Sequence, residues 1–426
     1  MALARLDVRG LRDRLDEVLP RPESHDADVG GAVAAIIAQV RRDGDDGLRA
    51  LTARFDRVEI GAIAVAPADI EAALTRVPDA LREALEVAHG RIVAYHRRDV
   101  AEPHDFVSDG VRVTELVRPM ARAGCYAPGG LARYPSTVLM CAAPARVAGV
   151  AEVVLCVPPG PDGRLDDATL AAAAIAGVDE VYRVGGAQAV AAMAYGTESI
   201  RRVDVIVGPG NRYVAEAMRQ VSGVVGIPAA FAGPSEVVVV AGPDTPAELA
   251  AIDLAVQAEH GPDGLSWLVT WSAEKLDEVD AALDRIVAAS PRRAALEATL
   301  SSGGYGCLVD GPEEAIAVAN VVAPEHLELL IDDGRWLLPF VEAAGAVFLG
   351  PWSPASLGDY VAGSNHVLPT NRSARFSSAL SARDFRRYIH VVEADREALA
   401  VLGPHVVTLA KTEGLAAHAQ SIEVRR

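Results

Sequence analysis

The chain has 426 residues, half of them apolar and 23% charged, and its 58 acidic against 40 basic residues give a formal net charge of −18. That length exceeds what one hydrophobic core usually fills, so at least two lobes are expected. The acidic balance disfavours nucleic-acid binding, and the N-terminal segment, which alternates arginine with aliphatic residues, predicts neither a signal peptide nor a membrane span.

Two helical regions and one strand are predicted in the first 120 residues. From Asp28 to Asp56 apolar residues recur at helical spacing, and a second helical region runs from Pro67 to Arg97. Proline suits the first turn of that second region, because its missing amide hydrogen has no partner there. Val111 to Val117 then predicts a strand.

Between Cys125 and Pro234 strands and helices alternate. Strands are predicted at Ala151–Val157, Glu180–Val184 and Val203–Val207, and helices at Asp167–Ile175, at Ala187–Ala194, and from Gly210 through Met218. This alternation is typical of a parallel sheet wrapped by helices.

A second alternation follows, and the chain ends in a different pattern. Strands are predicted at Glu236–Ala241, Trp267–Trp271 and Ala346–Leu349, and helices at Pro246–Glu259, Ala273–Ala289 and Glu313–Val321. Two successive α/β units predict two sheet lobes with a cleft between them. The final stretch, Ile389 to Val424, predicts a strand, then helices and a short tail, a small element suited to docking on a partner subunit.

Two glycine-containing turns stand where a nucleotide-binding loop is expected. The sequence has no GxGxxG at a strand-to-helix turn and no P-loop. Gly185-Gly186-Ala187-Gln188 and Gly208-Pro209-Gly210-Asn211 instead each follow a predicted strand and open a predicted helix. Such a turn lets a ligand approach the backbone at a helix N-terminus that favours anions. Ordinary βα connections have the same composition, so both interpretations stay open.

Four further groups carry residues suited to metal binding or proton transfer. Gln257 and His260 are three residues apart on a helical segment and share a face, so both can serve zinc, although a histidine before Gly261-Pro262 is also typical of a helix cap. Glu325 and His326 lie in the strand-like run VAPEHLELL and form a candidate acid/base pair. Because neighbouring strand residues point to opposite faces, the alternative is that one of them is simply exposed.

The other two groups lie near the end of the chain. The loop GDYVAGSNH carries Asp359 and His366 between apolar flanks, and a polar loop of this kind is more typical of a functional site than of a connection. Glu413 and His418 alone are compatible with an exposed helix face.

The four cysteines, Cys125, Cys141, Cys156 and Cys307, lie 15 or more residues apart and form no CxxC motif. No histidine or lysine close in sequence would activate Cys125 for covalent aldehyde oxidation. All four are therefore predicted to be reduced packing residues of a cytoplasmic protein.

Taken together and in order, these segments resemble the histidinol dehydrogenase family over nearly the whole chain, from about Val29 to about His418. The motifs are YAPGG, STVLMCAAPARVAGV, VGGAQAVAAMAYGT, VGPGN, FAGPSEV, QAEHGPD, VAPEHLEL, GDYVAGSNHVLPT and EGLAAH. A single motif would be weak, but the ordered set is specific.

The resemblance implies a role for each matching residue. One zinc ion per subunit is expected on Gln257, His260, Asp359 and His418, and Glu325 and His326 are the expected catalytic pair. Tyr126, Gln188 and Asn211 correspond to NAD contacts. Substrate contacts are expected from Ser235, Gln257, His260, His326, Asp359, His366, Glu413 and His418.

The resemblance also implies an architecture. The expected fold is α/β, with two incomplete Rossmann-like lobes that have parallel sheets and helices on both faces. Residues 21–122 and 235–380 are expected in the first lobe and residues 123–234 in the second, with small elements at 1–20 and 381–426. In this family His418 would come from the other subunit of an intertwined homodimer, so 381–426 is expected to dock on the partner.

The implied reaction is a four-electron oxidation of histidinol to histidine, through the aldehyde and its hydrate, with two NAD. His326 would take the alcohol proton, and Glu325 with His326 would activate the water that forms the hydrate. Asn371-Arg372-Ser373 departs from the glycine pair or Gly-Thr often found there, and residues 385–388 also look individual. Two alternatives therefore stay open: a related dehydrogenase for another small alcohol, such as a sulfonated propanediol, and a non-catalytic zinc- or nucleotide-binding protein.

Overall fold

The computed structural model describes residues 3–21, 29–100, 103–129, 133–228, 235–259 and 264–425. In these ranges the strands are β1 Ala4–Asp7, β2 Asp105–Ser108, β3 Val111–Pro119, β4 Arg122–Tyr126, β5 Glu152–Cys156, β6 Glu180–Tyr182, β7 Val205–Val207, β8 Glu236–Ala241, β9 Leu265–Thr270, β10 Gly304–Leu308, β11 His326–Leu330, β12 Ala346–Leu349 and β13 Arg386–Ala394.

The α-helices follow the same chain order, with short 3-10 turns between some of them. They are α1 Leu15–Val18, α2 Val29–Phe55, α3 Pro67–Arg76, α4 Asp79–Asp99, α5 Pro135–Ala148, α6 Asp167–Ile175, α7 Gly186–Tyr195, α8 Arg212–Val221, α9 Ala247–Ala258, α10 Ala273–Ala289, α11 Arg293–Gly303, α12 Pro312–Val322, α13 Ala355–Tyr360, α14 Arg396–Thr412 and α15 Ala416–Glu423. The helical region predicted from Pro67 to Arg97 is therefore two helices, which break at Val77-Pro78 because a residue before proline is driven out of the helical conformation.

The smaller parallel sheet has the strand order β6-β5-β4-β7. Helices α5 and α6 pack on one face, and α7 and α8 pack on the other. The order reverses between β4 and β7, where crossover helices leave for opposite faces, so the carboxyl ends of these two strands flank a crevice suited to a ligand. The chain thus forms a doubly wound lobe, as predicted.

Helices α2, α3 and α4 also belong with this smaller sheet. The apolar stripe of α2, which includes Val33 and Val40, packs with Val190 of α7 and Val214 of α8, and α3 and α4 pack against α6 and α5. The predicted grouping of residues 21–122 with residues 235–380 does not match this packing. Periodicity identified the buried face of each helix correctly, but it carries no information about which sheet covers that face.

The larger sheet is six-stranded and parallel, in the order β1-β10-β9-β8-β11-β12. Helices α9, α10 and α11 cover one face, and α1 and α12 cover the other. The N-terminal segment, predicted as a separate element at residues 1–20, is instead part of this lobe, because β1 pairs with β10 and α1 packs on α12. Two sheet lobes with helices on both faces confirm the predicted fold class.

A third, antiparallel sheet pairs β13, in the C-terminal element, with β3 and has the order β13-β3-β2. Nearly every residue of β13 is exposed, as are the large apolar side chains of Phe106 and Val392. The last helices, α14 and α15, pack mainly on each other. Within the described ranges no helix is both long and apolar enough to cross a bilayer.

Candidate active site

Several predicted site residues gather at the amino edge of the larger sheet. His326 is the first residue of β11, and Ser235 directly precedes β8. Gln257 lies in the last turn of α9, which runs antiparallel to β8 and β9 and so returns to the same edge. Burial raises the pKa of Tyr360, and the charges of Asp359 and Glu259 raise it further. Because Glu259 directly follows α9 and Tyr360 is the last residue of α13, the end of α9 lies close to α13.

His326 is the centre of this group and is 4% exposed. Its Nε2 lies 3.4 Å from Oδ1 of Asp359, and its Nδ1 lies 3.9 Å from Oε2 of Glu325. Burial alone would lower the pKa of His326, but the charges of Glu325 and Asp359 outweigh it and raise the pKa above its usual value. An imidazole between two carboxylates can accept a proton and keep it, as a general base must.

Glu325 is also buried, so the alternative that one member of the pair is simply exposed is wrong. Glu325 directly precedes β11 and faces Glu236, the residue before the Val237–His326 pair of the strand register. Burial, and then the charge of Glu325, raise the pKa of Glu236 well above its usual range. This edge therefore brings two buried glutamates together beside an imidazole.

Gln257 is a buried residue whose amide is not satisfied by the protein. It is 3% exposed, and its Nε2 has no hydrogen-bond partner in the described part of the chain. Both ring nitrogens of His326 share this property. Unpaired buried polar atoms are rare in folded proteins and call for a ligand or water. Since the two ends of an amide are hard to distinguish, the Gln257 oxygen can face the same space, and the donor set fits a bound cation.

The loop after α13 connects this edge to the smaller lobe. His366 bonds through Nδ1 to the carbonyl oxygen of Asp359 at 2.9 Å and through Nε2 to the hydroxyl of Thr137, in α5, at 3.2 Å. Asn365 donates from Nδ2 to the carbonyl oxygen of Met140, also in α5, at 2.7 Å. The cleft predicted between the two lobes is therefore bridged beside Asp359.

The predicted NAD residues line one cavity at the carboxyl edge of the smaller sheet. Its volume is about 1640 Å³, and Tyr126, Gln188 and Asn211 are all part of its wall. The hydroxyl of Tyr126 accepts a hydrogen bond from the amide of Gly186 at 3.1 Å, and Asn211 caps α8 by accepting from the amides of Tyr213 and Val214. The two glycine-containing turns thus open into the same space, at the topological switch point.

Gly208 shows why one of these turns requires glycine. Its φ is +124°, and a Cβ there would overlap the carbonyl group of Tyr126. The backbone after β7 can therefore approach the end of β4 only without a side chain, which keeps Tyr126 and Asn211 on the same cavity wall.

Two predicted site residues are not brought to this edge within one chain. Glu413 directly follows α14, His418 lies in α15, and both are exposed on the C-terminal element without a bond to the residues around His326. His260 lies outside the described residues. For the ranges that are described, no three His, Cys, Asp or Glu residues are arranged to hold a metal; among the predicted ligands in those ranges, Gln257 is an amide and His418 is not near Asp359.

The four cysteines are free and buried, which agrees with the packing role predicted for them. Burial raises the pKa of Cys125 to about 12. A thiolate that attacks an aldehyde is therefore not available from this residue at neutral pH.

Comparison with known proteins gives the same assignment along the entire chain. A family model described as histidinol dehydrogenase matches residues 19–426. The chain belongs to the histidinol dehydrogenase family. Histidinol dehydrogenase from Aromatoleum aromaticum is 45% identical over an alignment that covers 100% of this chain and 98% of that protein. The enzyme of the same name from Bordetella parapertussis is also 45% identical, over 99% and 97%.

Solved structures agree with the sequence comparison. The crystal structure of histidinol dehydrogenase from Elizabethkingia anophelis superposes with a TM-score of 0.95 at 33% identity and covers 99% of this chain and 98% of that one. Membership of the family therefore rests on both sequence and fold, over the full length.

The structure also places two residues at this edge that the sequence analysis did not select. Asp253 lies one helical turn before Gln257, and Glu328 lies two residues after His326 in β11. Both are buried. The signal was present, because a glutamate inside an apolar strand and an aspartate inside an apolar helix both break the local pattern.

Proposed function

We propose that the protein is a zinc-dependent dehydrogenase that oxidises L-histidinol to L-histidine with two NAD, in the last steps of histidine biosynthesis. The observation that carries this proposal is the buried His326 imidazole between the carboxylates of Glu325 and Asp359, in a chain that matches the family over residues 19–426. The location in the cytoplasm stays a prediction from the sequence.

The proposed zinc ligands are Gln257, His260 and Asp359 of one subunit and His418 of the other. The unpaired Gln257 amide and the nearby carboxylate supply the neutral and anionic donors that such an ion accepts. When bound, zinc would hold the amine and imidazole nitrogens of the substrate by its positive charge. Ser235 and His366 lie at the same edge or beside Asp359, where they would contact the rest of the substrate.

In the first oxidation His326 would accept the hydroxyl proton while hydride leaves the same carbon for the nicotinamide. The proposed cofactor site is the 1640 Å³ cavity lined by Tyr126, Gln188 and Asn211. In the second, Glu325 with His326 would take a proton from water as its oxygen adds to the aldehyde carbon. The hydrate then loses hydride to a second NAD, and the carboxylate is formed. Positioned proton transfer of this kind contributes about 10²–10⁴-fold in rate.

The C-terminal element supports a two-chain site. Its exposed apolar side chains, among them Val392, Val401 and Leu409, lie on β13, which pairs with β3, and on α14, which packs mainly on α15. A second subunit would cover this surface. We therefore propose an intertwined homodimer in which Glu413 and His418 reach the site of the partner.

The test of the activity is metal content measured together with the yield of NADH from histidinol. We expect two NADH per histidine formed, loss of turnover on complete chelation, and recovery when zinc is returned. Full activity of metal-free protein would overturn the zinc proposal. Oxidation of a sulfonated propanediol but not of histidinol would support the related-dehydrogenase alternative, and no turnover of either alcohol would support the non-catalytic one.

The test of the shared site is complementation between two inactive variants. Co-expressed H326A and H418A chains would form mixed dimers with one intact site, so about a quarter of wild-type activity is expected from random pairing. Absence of any recovery, with dimers demonstrated, would overturn the donation of His418 across the interface.

A further inference from the structure

Two buried carboxyl groups face each other beside the proposed active site. Glu328 is 1% exposed and Asp253 is 9% exposed, and their carboxyl groups lie within hydrogen-bonding reach of each other. Glu328 also accepts a hydrogen bond through Oε1 from the amide of Ala355 at 2.9 Å. No N–H or O–H donor within the described ranges reaches its other oxygen, Oε2. Two acceptors can bond in this way only when one of them carries a proton.

The electrostatic surroundings agree with a shared proton. Burial, followed by the interaction with Asp253, raises the pKa of Glu328 well above its usual range, and burial also raises the pKa of Asp253. In the described part of the chain neither carboxyl group forms an ion pair with a lysine or arginine. Two negative charges within hydrogen-bonding reach of each other would repel strongly in a buried setting, which favours a single proton shared by the pair.

The Glu328–Asp253 pair connects three elements. On each element, the residue involved lies one helical turn or one strand repeat away from a proposed site residue. Asp253 is four residues before Gln257 in α9, and Glu328 is two residues after His326 in β11. These spacings put each pair member on the same face of its element as the site residue. On the third element, the amide bonded by Glu328 belongs to Ala355, four residues before Asp359 in α13.

Helix α13 depends on this bond because little else fixes its first turn. It has six residues, and Pro354 before it offers no side-chain cap. The helix lies close against Phe348, whose ring would clash with a Cβ at Gly358, and the ring of Phe348 lies 5.8 Å from that of His326. A shift at the start of α13 would therefore carry Asp359 away from His326.

We propose that the Glu328–Asp253 pair is the positioning unit of the active site, a carboxyl–carboxylate bond that holds α9, β11 and α13 in the register that brings Gln257, His326 and Asp359 together. The inference rests on the proposed function for its reference to zinc. The geometry of His326 and Asp359 is independent of the metal. Groups that orient metal ligands typically change metal affinity by about 10–100-fold when they are removed.

Two substitutions of Glu328 separate positioning from simple packing. E328Q keeps the size, an oxygen for the amide of Ala355, and a donor for Asp253, so it should bind zinc within a few-fold of the wild type. E328L fills the space but removes both bonds, and its zinc affinity should fall about 10–100-fold. Zinc affinity is measured by chelator competition on metal-free protein, alongside its thermal unfolding temperature.

The control is another buried carboxylate of the same lobe, Asp280 in α10, which accepts from the amide of Leu3 at 3.0 Å. D280L should lower the unfolding temperature and leave zinc affinity unchanged. E328L should lower zinc affinity because the alignment of α13 is lost, and it can also lower the unfolding temperature because Asp253 is left buried without its partner. A loss of zinc affinity in E328L but not in D280L therefore separates positioning from stability.

A crystal structure of metal-free E328L provides the second measurement. The wild-type distance between His326 Nε2 and Asp359 Oδ1 is 3.4 Å, and we expect it to lengthen in E328L and to stay the same in E328Q. Zinc affinity of E328L equal to the wild type, or an unchanged distance, would overturn the proposal. A tenfold loss in E328Q would also overturn it, since the amide reproduces a protonated Glu328.

D253L makes the same test from the helix side if E328L does not fold. When the two residues act as one unit, the D253L/E328L double variant should bind zinc no more weakly than either single variant. Failure of wild-type protein to bind zinc would count against the proposed function alone, because the distance measurement still decides the positioning role.

Discussion

The amino edges of the two parallel sheets have opposite electrostatic designs. At the smaller sheet the buried Arg122 of β4 pairs with Glu152 at 2.5 Å and with Glu180, and Arg201 adds a second positive charge. At the larger sheet the equivalent edge carries Glu236, the first residue of β8, beside Glu325, which directly precedes β11. The first edge pairs its carboxylates with arginine, whereas at the second edge Glu325 lies 3.9 Å from the imidazole of His326.

This difference appears in the acidity of the glutamates. Hydrogen bonds and charges from Arg122 and its neighbours outweigh burial and lower the pKa of Glu180 to about 2. At the other edge burial and the charge of Glu325 raise the pKa of Glu236. Strongly perturbed pKa values concentrate at functional sites, so the edge where the pKa of a buried glutamate is raised is where chemistry is expected.

The largest expected effect comes from removing the imidazole of His326 at the amino edge of the larger sheet. H326A should reduce turnover of histidinol by about 10²–10⁴-fold, because no other described group near Asp359 replaces the proton acceptor. Steady-state NADH production measures the rate, and calorimetric titration measures NAD binding, which should be retained because the proposed cofactor cavity lies at the other lobe. Unchanged turnover would remove His326 from the mechanism.

A smaller effect, on stability, is expected at the amino edge of the smaller sheet. E180Q should lower the free energy of unfolding by about 1 kcal/mol at pH 7, a value that allows for solvent screening of a partly exposed pair. Because the folded pKa of Glu180 is depressed, its contribution is complete above the ordinary value near 4.5 and is lost as the pH falls towards about 2. Denaturant titrations from pH 7 to pH 2 should show the two proteins converging.

The smallest effect, of opposite sign, is expected from E236Q. The raised pKa of Glu236 means that the folded chain favours its neutral form, so this glutamate adds stability at low pH and loses it as the pH rises. A neutral amide should therefore leave the free energy of unfolding unchanged or slightly higher at pH 7. A clear loss of unfolding free energy in E236Q at pH 7, similar to that of E180Q, would show that the glutamates at the two edges do not contribute to stability in opposite ways.

The fold was predictable where strands are rich in valine and helices are amphipathic. The predicted bounds of α6 and β8 match those of the structure, and the βα rhythm of both lobes was identified. Strands β4 and β10 were not predicted, because RAGCY and GYGCL contain no β-branched residue and two or fewer large apolar ones. Packing partners were also missed, since a 3.6-residue period defines a face and not its neighbour.

The site was only partly predictable for a similar reason. Gln188 and Asn211 each follow a predicted strand, and carboxyl ends of parallel strands meet, so their common cavity follows from topology. Tyr126 ends β4, which was not predicted. Glu328 and Asp253 depend on the distance between β11 and α9, which no local pattern encodes. The proposed role of His418 needs a second chain, and its source was the family resemblance alone.

The pairing of β1 with β10 has a consequence for the order of assembly. Ala4 lies beside Tyr305, whereas the smaller sheet and helices α2–α8 are complete within residues 29–228. During synthesis the smaller lobe can therefore form while β1, which is made first, is still unpaired because β10 has not yet been made. Strand β1 has only four residues, which include Arg5 and Asp7, and such a short, charged edge strand resists mispairing while it is unpaired. A nascent chain stopped before β10 would hold most of the cavity lined by Tyr126, Gln188 and Asn211 and would lack His326.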